Sequence, residues 1–98
     1  MNTRYTIAGD SMWPAIPDGA EVVVSHDPGA IAAIAVGDVV VATHPFRKDM
    51  VLIKRVVEIV GGRYVLHGDA PHGSEDSRSL GPFRATAIVG VVVETCID

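Results

Sequence analysis

The chain predicts an all-β domain, a small coiled or partly closed antiparallel sheet, and three observations carry that expectation. Short runs dense in valine and isoleucine recur at close spacing, each bounded by glycine, proline or aspartate. Gly61-Gly62 stands between two such runs and is a two-residue hairpin signal. Only Ala30 to Val36 leans toward helix, and its isoleucines tolerate either state, so it reads as a loop with at most one helical turn.

Five strands follow in order. Glu21–Val24 is a valine run that opens after Gly19, and Asp38–Ala42 is a second that opens after Gly37. Met50–Val60 begins after Asp49 and stops at the glycine pair, and Arg63–His67 resumes beyond it and ends before Gly68-Asp69. Ala87–Glu94 is the last, again β-branched and apolar. The chain has 98 residues, 48% of them hydrophobic, which makes one domain over residues 1–98 with a modest margin of buried surface. Repeats, low-complexity segments and linkers are lacking in the sequence.

Two residues point to chemistry. Ser11 lies in Gly9-Asp10-Ser11-Met12-Trp13-Pro14, and Lys54 lies in Val51-Leu52-Ile53-Lys54-Arg55-Val56. A serine hydroxyl is a weak nucleophile until a base takes its proton, and a desolvated lysine amine can take it without histidine. Strand alternation puts Leu52, Lys54 and Val56 on one face, and an ammonium between aliphatic neighbours loses hydration, which lowers its pKa from about 10.4 toward neutrality. Each residue also has a plainer reading. Lys54 can snorkel past an apolar stem at a strand edge, and Ser11 can be a turn or capping residue beside Pro14 and Pro17. The segment from Gly68 to Pro82, rich in glycine, small polar residues and charge, reads by itself as a long solvated loop.

Taken together, Ser11-Met12-x-Pro14, Gly37-Asp38-Val39-Val40, Ile53-Lys54-Arg55 and Gly68-Asp69 with Ser74-x-Asp76-Ser77-Arg78 and Gly81 resemble the boxes of type I signal peptidases, in order and in rough spacing. The resemblance runs from about Gly9 to Val93. It is nearest to a short, soluble branch similar to the maturation proteases of nickel-type superoxide dismutase, on the strength of Gly37–Val41, His44-Pro45-Phe46 and Ile53-Lys54-Arg55.

The resemblance implies the fold of the signal peptidase and SOS-repressor peptidases, and a serine endopeptidase that removes an N-terminal leader from a precursor. It implies Ser11 as nucleophile, with its backbone N–H in the oxyanion hole, and Lys54 as general base and later acid for the leaving amine. Ser74 matches a serine that orients the lysine, Asp69 pairs with Arg55, Asp76 pairs with Arg78, and Met12 and Pro14 shape the turn and line the substrate cleft. The chain departs from the family at Gly9, where many members place a serine hydroxyl as oxyanion donor, and at Ala70-Pro71, where asparagine is common. Loss of one such donor typically costs on the order of 10² to 10³ in turnover.

Other functions are disfavoured. A net charge of −4 without a basic run argues against nucleic acid. Arg47-Lys48, between Phe46 and Asp49, reads as a solvated hairpin tip. The single cysteine, Cys96, excludes an internal disulfide framework, fits a reducing compartment and reads as inert packing. His26, His44, His67 and His72 lack close ligand spacing, and the lysine mechanism needs neither metal nor cofactor. No run reaches the 18 or so apolar residues of a membrane span, and Met1 to Gly9 lacks the basic and apolar regions of a secretory signal. The expectation is therefore a soluble, cytoplasmic peptidase acting on a precursor protein. General signal-peptidase-like processing, a self-cleaving repressor-type regulatory domain and a non-catalytic binding domain are the alternatives.

Overall fold

Valine-rich segments pair into one seven-stranded sheet that curls into a half-barrel. The computed structural model describes residues 1–47, 49–70 and 75–96. Its strands are β1 (Asn2–Thr6), β2 (Glu21–Ser25), β3 (Val39–Thr43), β4 (Val51–Val60), β5 (Arg63–His67), β6 (Phe83–Arg84) and β7 (Ile88–Cys96), with short helices α1 (Pro28–Ala32) and α2 (Ser77–Leu80). The spatial order is β1-β2-β7-β3-β4-β5-β6, and every neighbouring pair is antiparallel. The all-β, curled antiparallel architecture read from the sequence is the one observed.

Both faces of the central strands are apolar, which is why β3 reads as an unbroken valine run rather than an alternating one. Val40 and Ala42 join Val56, Leu66, Phe83, Ile88 and Val91 in one cluster, which Ile34 caps. Val41 points the other way and packs with Val22, Val24, Ile7, Met12 and Ile16. Curling lets the second face close over itself. Register shifts at Val23/Val24, Val41/Ala42 and Val56/Glu58 add the local twist that such curling requires.

Gly61-Gly62 forms the expected two-residue hairpin, with φ of 58° and 76° at the two positions and Val60 facing Arg63. Positive φ at both central residues is what a turn matched to strand twist needs.

The differences from the sequence reading lie at the periphery. β1 is polar along most of its length, so the hydrophobic pattern does not announce it; pairing of Asn2–Thr6 with Ser25–Glu21 makes it a strand. Helix α1 starts earlier than the ambiguous Ala30–Val36 stretch, at Pro28, a residue pre-set for the first helical turn. Ala85–Ala87 forms a 3₁₀ turn before β7 begins at Ile88. Helix α2 and β6 arise within and just after the segment expected to be loop.

One close approach tests this packing. A Cβ added at Gly90 would lie 2.5 Å from Val24 Cγ1 and 2.6 Å from the Ser25 carbonyl oxygen, where β7 crosses β2 at a bulge. Backbone oxygen cannot yield as a side-chain end does. Gly90→Ala is expected to destabilise the fold by about 1–3 kcal/mol, measured by chemical denaturation, with the native sheet spectrum retained.

Candidate active site

Lys54 is 3% exposed, one of few buried charged side chains. It lies on β4 opposite Val40, on the face that carries buried Val56 and half-buried Leu52. Pairing of β4 with β5 begins at Arg55↔His67, so Val51–Lys54 has no partner from β5. Among the described residues no carboxylate lies within ion-pair distance of its ammonium. Burial lowers the Lys54 pKa from its ordinary 10.5, Asp76 opposes that, Arg78 reinforces it and Glu75 opposes it.

The charges beside the lysine are themselves held. Asp76 is fully buried and accepts the Gly68 N–H at 2.9 Å and the Arg78 N–H at 2.9 Å, while the Arg78 guanidinium grips both its oxygens at 2.6 to 3.2 Å. Burial alone would push this carboxyl up, but the Arg78 guanidinium and the two backbone donors outweigh it and hold the pKa at about 2. Asp76 also organises α2, since its carbonyl accepts from Ser79 and Leu80. Ser77 Oγ accepts the Leu66 N–H at 2.8 Å and fastens this segment to β5.

On the other face of β4, Arg55 forms a two-point bond with Asp69, Nε to Oδ1 at 2.9 Å and Nη2 to Oδ2 at 2.8 Å, and donates from Nη1 to the Gly37 carbonyl at 2.8 Å. This fixes the turn after β5. The next residue, Ala70, donates its N–H to the Ser11 carbonyl at 2.9 Å, so the Ser11 loop leans on that turn. A continuous set of contacts thus runs from Lys54 and Arg55 through Asp69 and Ala70 to Ser11. The described hydrogen bonds do not join Ser11 Oγ to Lys54 directly. Ser74 lies outside the described residues, as do Lys48, Pro71 and His72.

The Ser11 loop is anchored by apolar burial. Met12 is fully buried in the second cluster, and the Ile16 N–H reaches the Met12 carbonyl at 2.8 Å. Ser11 remains half-buried, whereas Trp13 and Pro14 are exposed. Gly9 adopts a φ of 94°, a conformation that favours glycine, and its N–H is taken by Asp18 Oδ1 at 2.8 Å.

Beside the loop lies a groove of about 200 Å³, with Tyr5–Ala8 on one wall, Val51–Ile53 on the other and Val22 and Val41 as floor. Both walls carry free backbone edges: β1 is the outermost strand, and Val51–Lys54 is unpaired on its outer side. Met12 supports the floor by packing with Ile7, Val22 and Val41. Sequence reasoning missed Tyr5–Ala8, because a polar edge strand carries no hydrophobic signal.

It also missed His44 and Glu75. The His44 imidazole is 1% exposed and its Nε2 lies 3.1 Å from Glu75 Oε2. The available signal was register, since His44 continues the alternation of Val40 and Ala42. Among the described residues no group of three His, Cys, Asp or Glu side chains is placed to hold a metal ion.

Asp76 gives a pH-dependent prediction. Its folded-state pKa lies below the 3.8 of an unperturbed aspartate, so the stability it contributes is complete above 3.8 and is lost as pH falls toward about 2. Asp76→Asn should cost about 2 kcal/mol near neutral pH, and the deficit should close in urea unfolding carried out near pH 2.

Residues 1–63 match the family model described as signal peptidase, peptidase S26. That span includes Ser11, Lys54 and both walls of the groove and ends before Asp69. A comparison with curated proteins returns no match. No helix among the described residues is long and apolar enough to cross a membrane. A match over well over half of the chain, on a curled antiparallel sheet, establishes that the protein belongs to the signal peptidase family, peptidase S26, and is a signal-peptidase-like serine hydrolase.

Proposed function

We propose that the protein is an endopeptidase that removes an N-terminal leader from a precursor, with Ser11 as nucleophile and Lys54 as general base. The observation that carries this reading is the burial of Lys54 with no ion-paired carboxylate among the described residues. A lysine kept for stability alone would gain from an acidic partner or from water, and this one has given up its hydration on an apolar face.

Burial, rather than the net field of the neighbouring charges, favours the neutral amine. Asp76 favours the ammonium, and the Arg78 guanidinium bound to it opposes that field. In the proposed reaction a precursor lies extended in the groove between Tyr5–Ala8 and Val51–Ile53, where free strand edges supply backbone hydrogen bonds. Neutral Lys54 takes the Ser11 hydroxyl proton as Oγ attacks the scissile carbonyl. The Ser11 N–H faces the developing oxyanion, and Lys54 returns the proton to the departing amine. Water then hydrolyses the acyl-enzyme by the same base, restoring Ser11. Ser74 is proposed to orient the lysine amine.

Within this reading, resemblance over Gly37–Val41, His44-Pro45-Phe46 and Ile53-Lys54-Arg55 favours the precursor of nickel-type superoxide dismutase as substrate. Removal of leaders from other precursors is the neighbouring reading, because the matched family model covers signal peptidases as a whole.

Intact-mass spectrometry of that precursor incubated with the protein is the test. A single leader-sized loss is expected, absent with Ser11→Ala and with Lys54→Met, each of which should lower turnover by roughly 10³-fold or more. Retained cleavage in Lys54→Met would remove the lysine from the mechanism. Because the base must be neutral, kcat/KM should rise with pH through an inflection below the ordinary lysine value of 10.5.

A further inference from the structure

Two features of the chain stand outside the contacts just described: a buried histidine that touches no part of the groove, and the glutamate it holds. His44 follows β3 directly, and its N–H donates to the Met50 carbonyl at 2.9 Å, which places it beside the entry to β4. Its Nδ1 accepts two backbone N–H groups, from Phe46 at 3.0 Å and Arg47 at 3.1 Å. An atom that accepts twice carries no hydrogen, so the neutral ring bears its hydrogen on Nε2 and donates it to Glu75 Oε2 at 3.1 Å. The ring is thereby locked in orientation and in tautomer. Arg47 adds a weaker contact to the other Glu75 oxygen at 3.8 Å.

Glu75 directly precedes Asp76 and Ser77 in one segment. The far end of that segment is tied to Gly68 and Leu66, at and just beyond the end of β5, and Leu66 faces Val56. The near end is tied to His44, beside Met50. Lys54 projects from the first half of β4, which has no partner from β5, and lies opposite Val40 of β3. Among the described residues, the charged groups that act on Lys54 are Asp76, Arg78 and Glu75, on this segment or its helix.

We propose that His44 is a positioning residue for the peptidase reaction: its Nε2–H holds the Glu75 carboxylate, and with it the segment that leads to Asp76, in the arrangement that sets the charge around the lysine amine. This rests on the reading of Lys54 as the base. Asp76 is secured by its own contacts, so His44 governs the Glu75 end, which among the described residues is otherwise held by the exposed Arg47. Glu75 carries negative charge that favours the ammonium, and a carboxylate released into water would favour it less.

The chain contains two lysines, Lys48 and Lys54, so a protein labelled with ¹³Cε-lysine gives two titrating resonances, and Lys54→Met assigns them. Three variants separate the contributions. His44→Asn keeps an acceptor near the Nδ1 position for Phe46 and Arg47 but cannot reach Glu75. His44→Gln keeps a donor toward Glu75, and Glu75→Gln keeps the hydrogen bond while removing the charge.

The Lys54 midpoint should move to lower pH in His44→Asn and in Glu75→Gln and stay at the parent value in His44→Gln. In precursor cleavage, the kcat inflection of His44→Asn should move to lower pH together with the Lys54 midpoint, with KM unchanged because the histidine does not line the groove. A merely structural histidine would leave the Lys54 midpoint where it was in every folded variant, and that result overturns the proposal. Should His44→Asn fail to fold, Glu75→Gln decides alone, since its side chain is 42% exposed and an unmoved midpoint there is equally fatal. The two readings fail differently: cleavage that survives Lys54→Met removes the base, whereas an inactive Lys54→Met with unmoved midpoints removes only the role of His44.

Discussion

The structure turns on the burial of one ammonium. Lys54 projects from a strand whose neighbours on the same face are Leu52 and Val56, in a position that water scarcely reaches. Removing a charge from water is costly unless it is compensated or neutralised, and no carboxylate among the described residues binds it directly. What surrounds it is a graded field: Asp76 and Glu75 favour the charged form, Arg78 opposes it, and burial outweighs them. The Lys54 pKa therefore lies below its ordinary 10.5.

That balance explains why the segment beyond β5 is so heavily bonded. Asp76 accepts from two backbone donors and a guanidinium, and its carbonyl starts α2. A carboxylate that moved by an ångström or two would change the field at the lysine steeply, since charge interactions in a partly desolvated site are weakly screened. Arg55 performs the complementary task on the opposite face. By bridging Asp69 and the Gly37 carbonyl it joins two turns distant in sequence, and Ala70 extends the link to Ser11.

Open edges are ordinarily a hazard in a β protein, because unpaired backbone groups invite pairing with other chains. Here β1 is a polar edge and the first half of β4 is uncovered, and both border the same groove. The exposure that would be a liability elsewhere suits a peptidase of this family, whose substrate is itself a polypeptide. Met12, buried beneath the groove, ties its floor to the loop that carries Ser11.

How much of this was legible in the chain follows from where each piece of information resides. Valine runs and the Gly61-Gly62 turn determined an all-β domain, because strand periodicity and turn chemistry are local. Alternation likewise placed Lys54 beside Leu52 and Val56 before any tertiary contact was known. The polar strand β1, the two-residue β6 and helix α2 were not legible, since pairing partners and the Asp76 contacts make them, not their own propensities. The His44 contact with Glu75 joins residues on separate elements, and no local pattern encodes it. Sequence thus determined the fold class and the residue types available for chemistry. Tertiary structure alone decided that the lysine is dry and which charges act on it, because desolvation and Coulomb fields depend on distances that only the folded chain sets.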